Sequence, residues 1–146
     1  MNDDTQYYES RSFRWLVADF VTETAGVDAA AVVTSAGEIL AGAPQPASTS
    51  RANAIEALAS VVYSLTKSAG KGATALGFGV MRHVLVEFGD NYLVIAPVSG
   101  DAVVGAVVDE AADVGRAVEE LERLCGHLGE LWSDELLGVL RRERVA

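Results

Sequence analysis

The side chains that most often act as bases or nucleophiles are few in this sequence and far apart. His83 falls in a strand-like run, and His127 falls on the polar side of a helical run. Glu87 follows His83 by four positions, a spacing that separates the two by about 13 Å in an extended strand. Cys125 lies in an apolar helical pattern, where a thiolate is disfavoured. Because a Gly-x-Ser-x-Gly sequence is also missing, we predict a protein without catalytic residues, not an enzyme.

A glycine-rich segment, residues 68–72, is superficially similar to a phosphate-binding loop. That motif needs a glycine five positions before its second glycine and a Ser or Thr after its lysine. Leu65 and Gly72 occupy these positions, and the segment follows a helical pattern where a phosphate loop would precede one. We interpret it as the end of a helix followed by a mobile loop, and expect no bound cofactor. Cys125 has no second cysteine or histidine pair at metal-ligand spacing, so we expect no metal.

The overall charge argues against a nucleic-acid partner. The chain has 146 residues, 21 acidic against 11 basic, and a formal net charge of −10, which repels phosphate backbones. Residues 1–9 are polar and acidic and do not resemble a secretory signal. No apolar run approaches the roughly 18 residues of a membrane span. A single cysteine suits a reducing compartment, so we expect a cytoplasmic protein without direct membrane insertion, recruited to membranes only through partners.

The first half of the chain predicts a helix, a hairpin and a second helix. Residues 1–11 have no apolar period and are predicted to form a disordered acidic tail. Apolar residues at helical spacing predict helix one from Ser12 to Gly26. Short extended runs at 29–34 and 38–42 flank Gly37, a residue that permits a tight turn. Helix two is predicted over 50–69, and residues 70–72 are expected to end it.

The second half predicts a three-stranded antiparallel meander and two further helices. The strands span Val80–Phe88, 92–98 and 103–108, and the short turns between them force antiparallel neighbours. Helix three is predicted over 112–132. Ser133 is placed to cap a short last helix before the basic residues 141–144. The predicted organisation is one domain at 12–132, followed by a C-terminal helix and basic tail at 133–146.

The two long helices differ in how much of their surface is apolar. At about 100° per residue, the apolar positions of helix three cover roughly 160°, which one buried face explains. Those of helix two cover roughly 240°, and they are Ala54, Ile55, Ala57, Leu58, Ala59, Val61, Val62, Tyr63, Leu65 and Ala69. One explanation is that helix two lies between the sheet and another helix of its own chain. The other is that its second face packs on a second copy, which a two-fold dimer would satisfy.

Several local strings resemble the Roadblock/LC7 family, as does the predicted order helix, hairpin, helix, meander, helix. The strings are Trp15–Phe20, Gly26-Val27, Val32–Gly37 and Val84–Glu87 leading into Asn91–Val94. The resemblance spans about residues 13–132. It implies an α+β sandwich, roadblock/profilin-like, with a five-stranded antiparallel sheet, helix two on one face and helices one and three on the other.

The same resemblance implies a role in signalling. In dimers of this family the third strand pairs with its copy and the two second helices lie side by side. Bacterial members similar to this chain act beside small Ras-like GTPases, as regulators or scaffolds, often with a sensor-kinase-like protein. Some relatives stimulate GTP hydrolysis by bracing the GTPase's own loops, without donating an arginine.

These considerations predict a non-enzymatic homodimeric adaptor or regulator of a small GTPase. The predicted dimer-interface residues are Ala52, Ile55, Ala59, Val62, Tyr63, Val80, Arg82, Val84 and Val86. The alternative is a small-molecule-sensing domain of the profilin or GAF-like kind, which needs a pocket of several hundred Å³ between sheet and helices. Because Val, Ala and Leu occupy nearly every inward position, we expect that space to be filled.

Overall fold

Four helices and five strands make up the fold of the residues that the structure describes. The structure, a computed structural model, describes residues 3–44, 49–99 and 101–145. The helices are α1 (Asp3–Glu23), α2 (Thr49–Leu76), α3 (Val114–Leu131) and α4 (Asp134–Val145). The strands are β1 (Val27–Thr34), β2 (Ile39–Ala43), β3 (Val84–Glu87), β4 (Asn91–Ser99) and β5 (Ala102–Asp109).

The strands form one antiparallel sheet in the order β2-β1-β5-β4-β3. The hairpin between β1 and β2 turns at Gly37, whose φ of 87° is in the left-handed region that glycine tolerates. Helix α2 connects β2 at one edge of the sheet to β3 at the other. The meander β3-β4-β5 then returns to the sheet centre, where β5 pairs with both β4 and β1. The predicted five-stranded antiparallel sheet is confirmed, and β3 lies at one of its edges.

Helices cover the two sheet faces unequally. One core contains residues of α1, α3 and α4 against one face, including the fully buried Phe13, Leu121 and Leu136. The second core contains α2 against the opposite face. There the helix lies close to the sheet at Gly105 of β5. A Cβ added at this glycine would be only 2.2 Å from Val62 Cγ2. The predicted α+β sandwich is confirmed, with α4 added beside α1 and α3.

The predicted disordered tail at 1–11 is wrong for residues 3–11, which belong to α1. Acidic residues near the start of a helix interact favourably with its dipole, so the acidic composition of this segment is compatible with helix. Ser10 is buried, and its hydroxyl donates to the Tyr7 carbonyl at 2.9 Å. Residues 1 and 2 lie outside the described residues.

Helix α2 continues beyond residues 70–72, where the sequence predicted its end and a loop. A mid-helix glycine costs only about 1 kcal/mol, and the helix formers Ala73, Ala75 and Leu76 follow. The helix ends instead at Gly77, with a φ of 72°. There Phe78 N donates to Ala73 O at 2.8 Å and Gly77 N to Thr74 O at 3.3 Å, a Schellman cap.

Strand β3 is shorter than the predicted Val80–Phe88, because its ladder with β4 begins only at Val84, opposite Ile95. In this register the next hydrogen-bonded pair toward the strand's start would join Arg82 to Pro97. Proline has no N–H to donate, so the ladder stops at Val84.

The C-terminal segment forms a helix that packs on the domain. Ser133 Oγ accepts from Leu136 N at 3.0 Å and so caps α4 as predicted. The basic residues predicted as a tail lie within this helix, and Arg141 forms an ion pair with Glu38 at 2.6 Å. Leu136 and Leu140 are fully buried, so α4 is part of the core.

Candidate interaction surface

The outer edge of β3 has backbone groups available for a further strand. Phe88 N donates to Asn91 O at 2.8 Å, which makes this pair a hydrogen-bonded one. Because such pairs alternate along an antiparallel ladder, Val86 and Val84 also bond toward β4. The N–H and C=O groups of Leu85 and Glu87 therefore point away from the sheet. An unpaired edge of this kind is a template for pairing with another chain.

A row of small residues follows the outer side of α2. Its members are all exposed and recur at intervals of three and four positions, and they are Ala54, Ala57, Val61, Ser64 and Ser68. The Val61 side chain is 45% exposed. The other three helices pack on the opposite sheet face, so the explanation that a helix of the same chain covers α2 is wrong for the described residues. Small side chains at this spacing permit a second helix to approach closely.

Three predicted interface residues of α2 face their own sheet. Ile55, Ala59 and Val62 are 8%, 3% and 0% exposed and pack in the second core. Tyr63 is half-buried, and its ring lies near Gly37. The side chain of Ala52 lies outside the described residues. The wide apolar arc was correctly recognised, but its centre is turned to the sheet and only its flank, at positions 54, 57 and 61, is exposed.

The interface residues predicted around β3 also include both half-buried and exposed side chains. Val84 and Val86 are half-buried beneath α2. Val80 and Arg82 are both exposed, Val80 at 94%, but they precede the strand instead of belonging to it. The prediction omitted Leu85 and three other exposed apolar residues between α2 and the turn after β3, which are Leu76, Phe78 and Phe88. Apolar side chains beside glycines at 77 and 79 were the available signal.

The polar residues considered for chemistry are not brought together. His83 Nδ1 lies 3.9 Å from Glu122 Oε1, beyond hydrogen-bond length, and both side chains are exposed. Burial, with a smaller effect of the Glu122 charge, raises the pKa of Cys125 to about 12. Within the described ranges, three or more potential metal ligands never converge. Residues 70–72 are inside α2, so their amides are not presented to a phosphate.

A cleft of about 640 Å³ lies between the second half of α2 and one end of the sheet. At 1.5 Å per residue, the 28 residues of α2 extend about 42 Å, whereas the eight residues of β1 span about 26 Å. The helix therefore continues past the sheet and leaves space beneath it. The expectation that inward side chains fill all the space between sheet and helices is wrong here.

A family model for the Roadblock/LC7 domain matches residues 13–108, about two thirds of the chain. The chain belongs to the Roadblock/LC7 family. The Roadblock/LC7 match includes α2, β1 to β4 and β5 as far as Val108. The family predicted from the sequence is thereby confirmed. No curated protein matches the chain significantly in sequence.

Solved structures share this Roadblock/LC7 fold at low sequence identity. A Roadblock/LC7 domain from Streptomyces avermitilis is 17% identical with a TM-score of 0.68, covering 79% of this chain and 92% of that one. MglB of Myxococcus xanthus is 16% identical, with a TM-score of 0.71 and coverages of 82% and 94%. The gliding protein MglB from Thermus thermophilus is 20% identical, with a TM-score of 0.66 and coverages of 86% and 90%.

Among the described residues, no helix has the length and apolarity to cross a bilayer.

Proposed function

We propose that this Roadblock/LC7 domain is a non-enzymatic, homodimeric adaptor or regulator of a small Ras-like GTPase. The observation that carries the proposal is the combination of a β3 edge and a row of small residues on α2, both of which no described element of the chain covers. Each feature alone is common on protein surfaces. Together they suit a two-fold arrangement in which β3 pairs with its copy and the two α2 helices pack side by side.

The distribution of exposed apolar side chains supports this dimer. Leu76, Phe78, Val80, Leu85 and Phe88 are all exposed, and they lie along the chain from the end of α2 through β3. Exposed large apolar side chains gathered on one short segment favour association, because large apolar surfaces of monomers usually mark interaction sites. Pairing two chains at β3 would join the sheets into one of ten strands and bring these residues near the joint.

The GTPase part of the proposal rests on the family. Bacterial Roadblock/LC7 proteins similar to this chain are expected to act with small Ras-like GTPases, and a sensor-kinase-like protein is a further candidate partner. The paired α2 helices would form a surface that a GTPase can contact. Because the described polar residues form no catalytic group, an effect on GTP hydrolysis would come from ordering the GTPase's own residues.

Two measurements test the proposal separately. Light scattering coupled to size exclusion should give about twice the 15.3 kDa mass of one chain; a monomer at micromolar concentration would contradict the dimer. The chain should also bind a small Ras-like GTPase encoded near its own gene, loaded with GDP or a non-hydrolysable GTP analogue. If neither nucleotide form binds in biolayer interferometry, the GTPase role is wrong even when the dimer is present.

A further inference from the structure

The cleft beneath α2 has the size and walls of a ligand site. We call it the α2 cleft; the second half of α2 forms one wall, and the ends of β1, β4 and β5 form the other. Its volume of about 640 Å³ lies within the 300–1,000 Å³ usual for small-molecule sites. Val33, Ala102, Val103 and Ala75 contribute apolar surface. The backbone link from Ser35 N to Asp101 O, 2.8 Å long, holds the two sheet turns together at its base.

Positive charge is concentrated on the helical wall. Lys67 and Lys71, the only lysines in the sequence, lie one helical turn apart and both line the cleft. Lys67 Nζ lies 5.5 Å from the centroid of the Tyr63 ring, a cation–π contact that keeps the ammonium beside the sheet end. Asp101 is the one carboxylate among the described lining residues. The cleft therefore has an excess positive charge on a chain whose net charge is −10.

One residue of the cleft wall has a buried polar atom without a hydrogen-bond partner. Thr66 Oγ1 is buried, and it makes no hydrogen bond to any residue that the structure describes. An unsatisfied buried hydroxyl costs about 1–3 kcal/mol. Because this oxygen is closed to solvent, the charge of the two lysines, and not this hydroxyl, favours an anionic ligand.

We propose that the α2 cleft binds a single-chain anionic amphiphile. The apolar chain would lie between α2 and the sheet ends, and the anionic head, a carboxylate or a phosphate monoester, would pair with Lys67 and Lys71. The lysine pair decides the charge of the head, because two cations and one carboxylate leave a net attraction for an anion. The mainly aliphatic wall decides the nature of the tail.

The glycines provide a matched pair of variants. Gly70 lines the cleft, and a Cβ added there meets nothing within 4 Å. A Gly70→Leu side chain would therefore start without a clash at its Cβ and occupy space that the ligand needs. Gly126 on α3 is also exposed, and a Cβ there also meets nothing within 4 Å, but this helix packs on the other sheet face. Both substitutions replace a mid-helix glycine by a better helix former, so the fold should survive in each.

The test is calorimetric titration of the full-length protein with decanoate, decyl phosphate and decanol below their aggregation concentrations. We expect saturable binding of at least one anion and binding of decanol at least tenfold weaker. Gly70→Leu should weaken anion binding at least tenfold, whereas Gly126→Leu should leave it within twofold. Changing both lysines, Lys67→Met with Lys71→Met, should weaken the anions at least fivefold and leave decanol unchanged.

Several results would overturn the proposal. They are a lack of saturable binding, equal affinity for decanol and the anions, or equal effects of the two glycine variants. Light scattering on the same samples tests the other possible occupant of the cleft, which is a second copy of the chain. If Gly70→Leu, but not Gly126→Leu, changes the mass, the cleft is a protein contact and not a ligand site. The relative affinities of decanoate and decyl phosphate identify the preferred head.

Discussion

Proline at position 85 should separate dimer formation from folding. The Leu85 N–H points away from β4, so a proline there removes no hydrogen bond of the monomer. Edge strands tolerate proline where the N–H faces outward. In a dimer formed through β3, however, the same amide would donate to the partner strand, and the proline ring would occupy its place. Leu85→Pro should therefore weaken the dimer while the domain stays folded.

The size of this effect follows from the symmetry. A two-fold pairing uses the Leu85 amide of each chain, so the substitution removes two intermolecular hydrogen bonds. At about 0.5–1.5 kcal/mol each, the loss is about 1–3 kcal/mol. Since about 1.4 kcal/mol corresponds to a tenfold change, the dimer Kd should rise roughly five- to 150-fold.

Two control variants isolate the missing amide. Leu85→Ala keeps the N–H and removes only the side chain, so it measures the loss of apolar contact. Val86→Pro removes an amide that points toward β4, and it should lower the free energy of unfolding of the monomer. Dimer Kd values come from sedimentation equilibrium over a dilution series, and folding from circular dichroism. A Leu85→Pro dimer as tight as Leu85→Ala would refute pairing through β3.

The remaining predictions concern the core and the termini. Gly105→Ala places a methyl 2.2 Å from a valine methyl of α2, so urea unfolding should show a free energy of unfolding lower by about 1–3 kcal/mol. Gly126→Ala should be neutral or should raise that free energy by up to about 1 kcal/mol. Equal values for the two variants would contradict the close approach of α2 to β5. Leu136→Ala should cost about 2–5 kcal/mol because the side chain is fully buried, while Arg141→Met should cost less than about 1 kcal/mol because its ion pair is exposed. Cys125, with its pKa raised to about 12, should resist thiol reagents at pH 8 until urea unfolds the chain. The contribution of this thiol to the free energy of unfolding should be fully present below pH 9, the ordinary pKa of a cysteine, and should decline from pH 9 toward pH 12. The reason is that the thiol of the unfolded chain loses its proton at a lower pH than the buried thiol. The Cys125→Ala variant should lack that decline.

The local parts of the fold could be read from the residues. Gly37 marked the first hairpin, and the alternation of extended runs and short turns marked the meander, since both depend on neighbours in sequence. Helix three was recognised from a narrow apolar arc that needs a single buried face. Errors occurred where local signals were weak. Two glycines were expected to end helix two, yet the helix continued, because each glycine costs little when good helix formers follow.

The candidate surface could be predicted only in outline. The breadth of the apolar arc on helix two predicted that more than one of its faces is covered. It could not show which residues face the sheet, because the rotation of a helix depends on close approaches such as that of Val62 to Gly105. The length of β3 depended on Pro97, which lies opposite Arg82 only in the final register of β3 and β4.

The sequence by itself determined the order of the elements, the absence of a recognisable catalytic motif and the excess of apolar surface on the second helix. Periodicity, turn residues and side-chain chemistry act over a few neighbouring positions, so they can be read along one chain. Tertiary structure alone decided that β3 is an edge strand, that positions 54, 57 and 61 face outward and that a cleft lies beneath the end of α2. These features depend on the register of strands and the length of a helix relative to the sheet, which bring together residues distant in sequence.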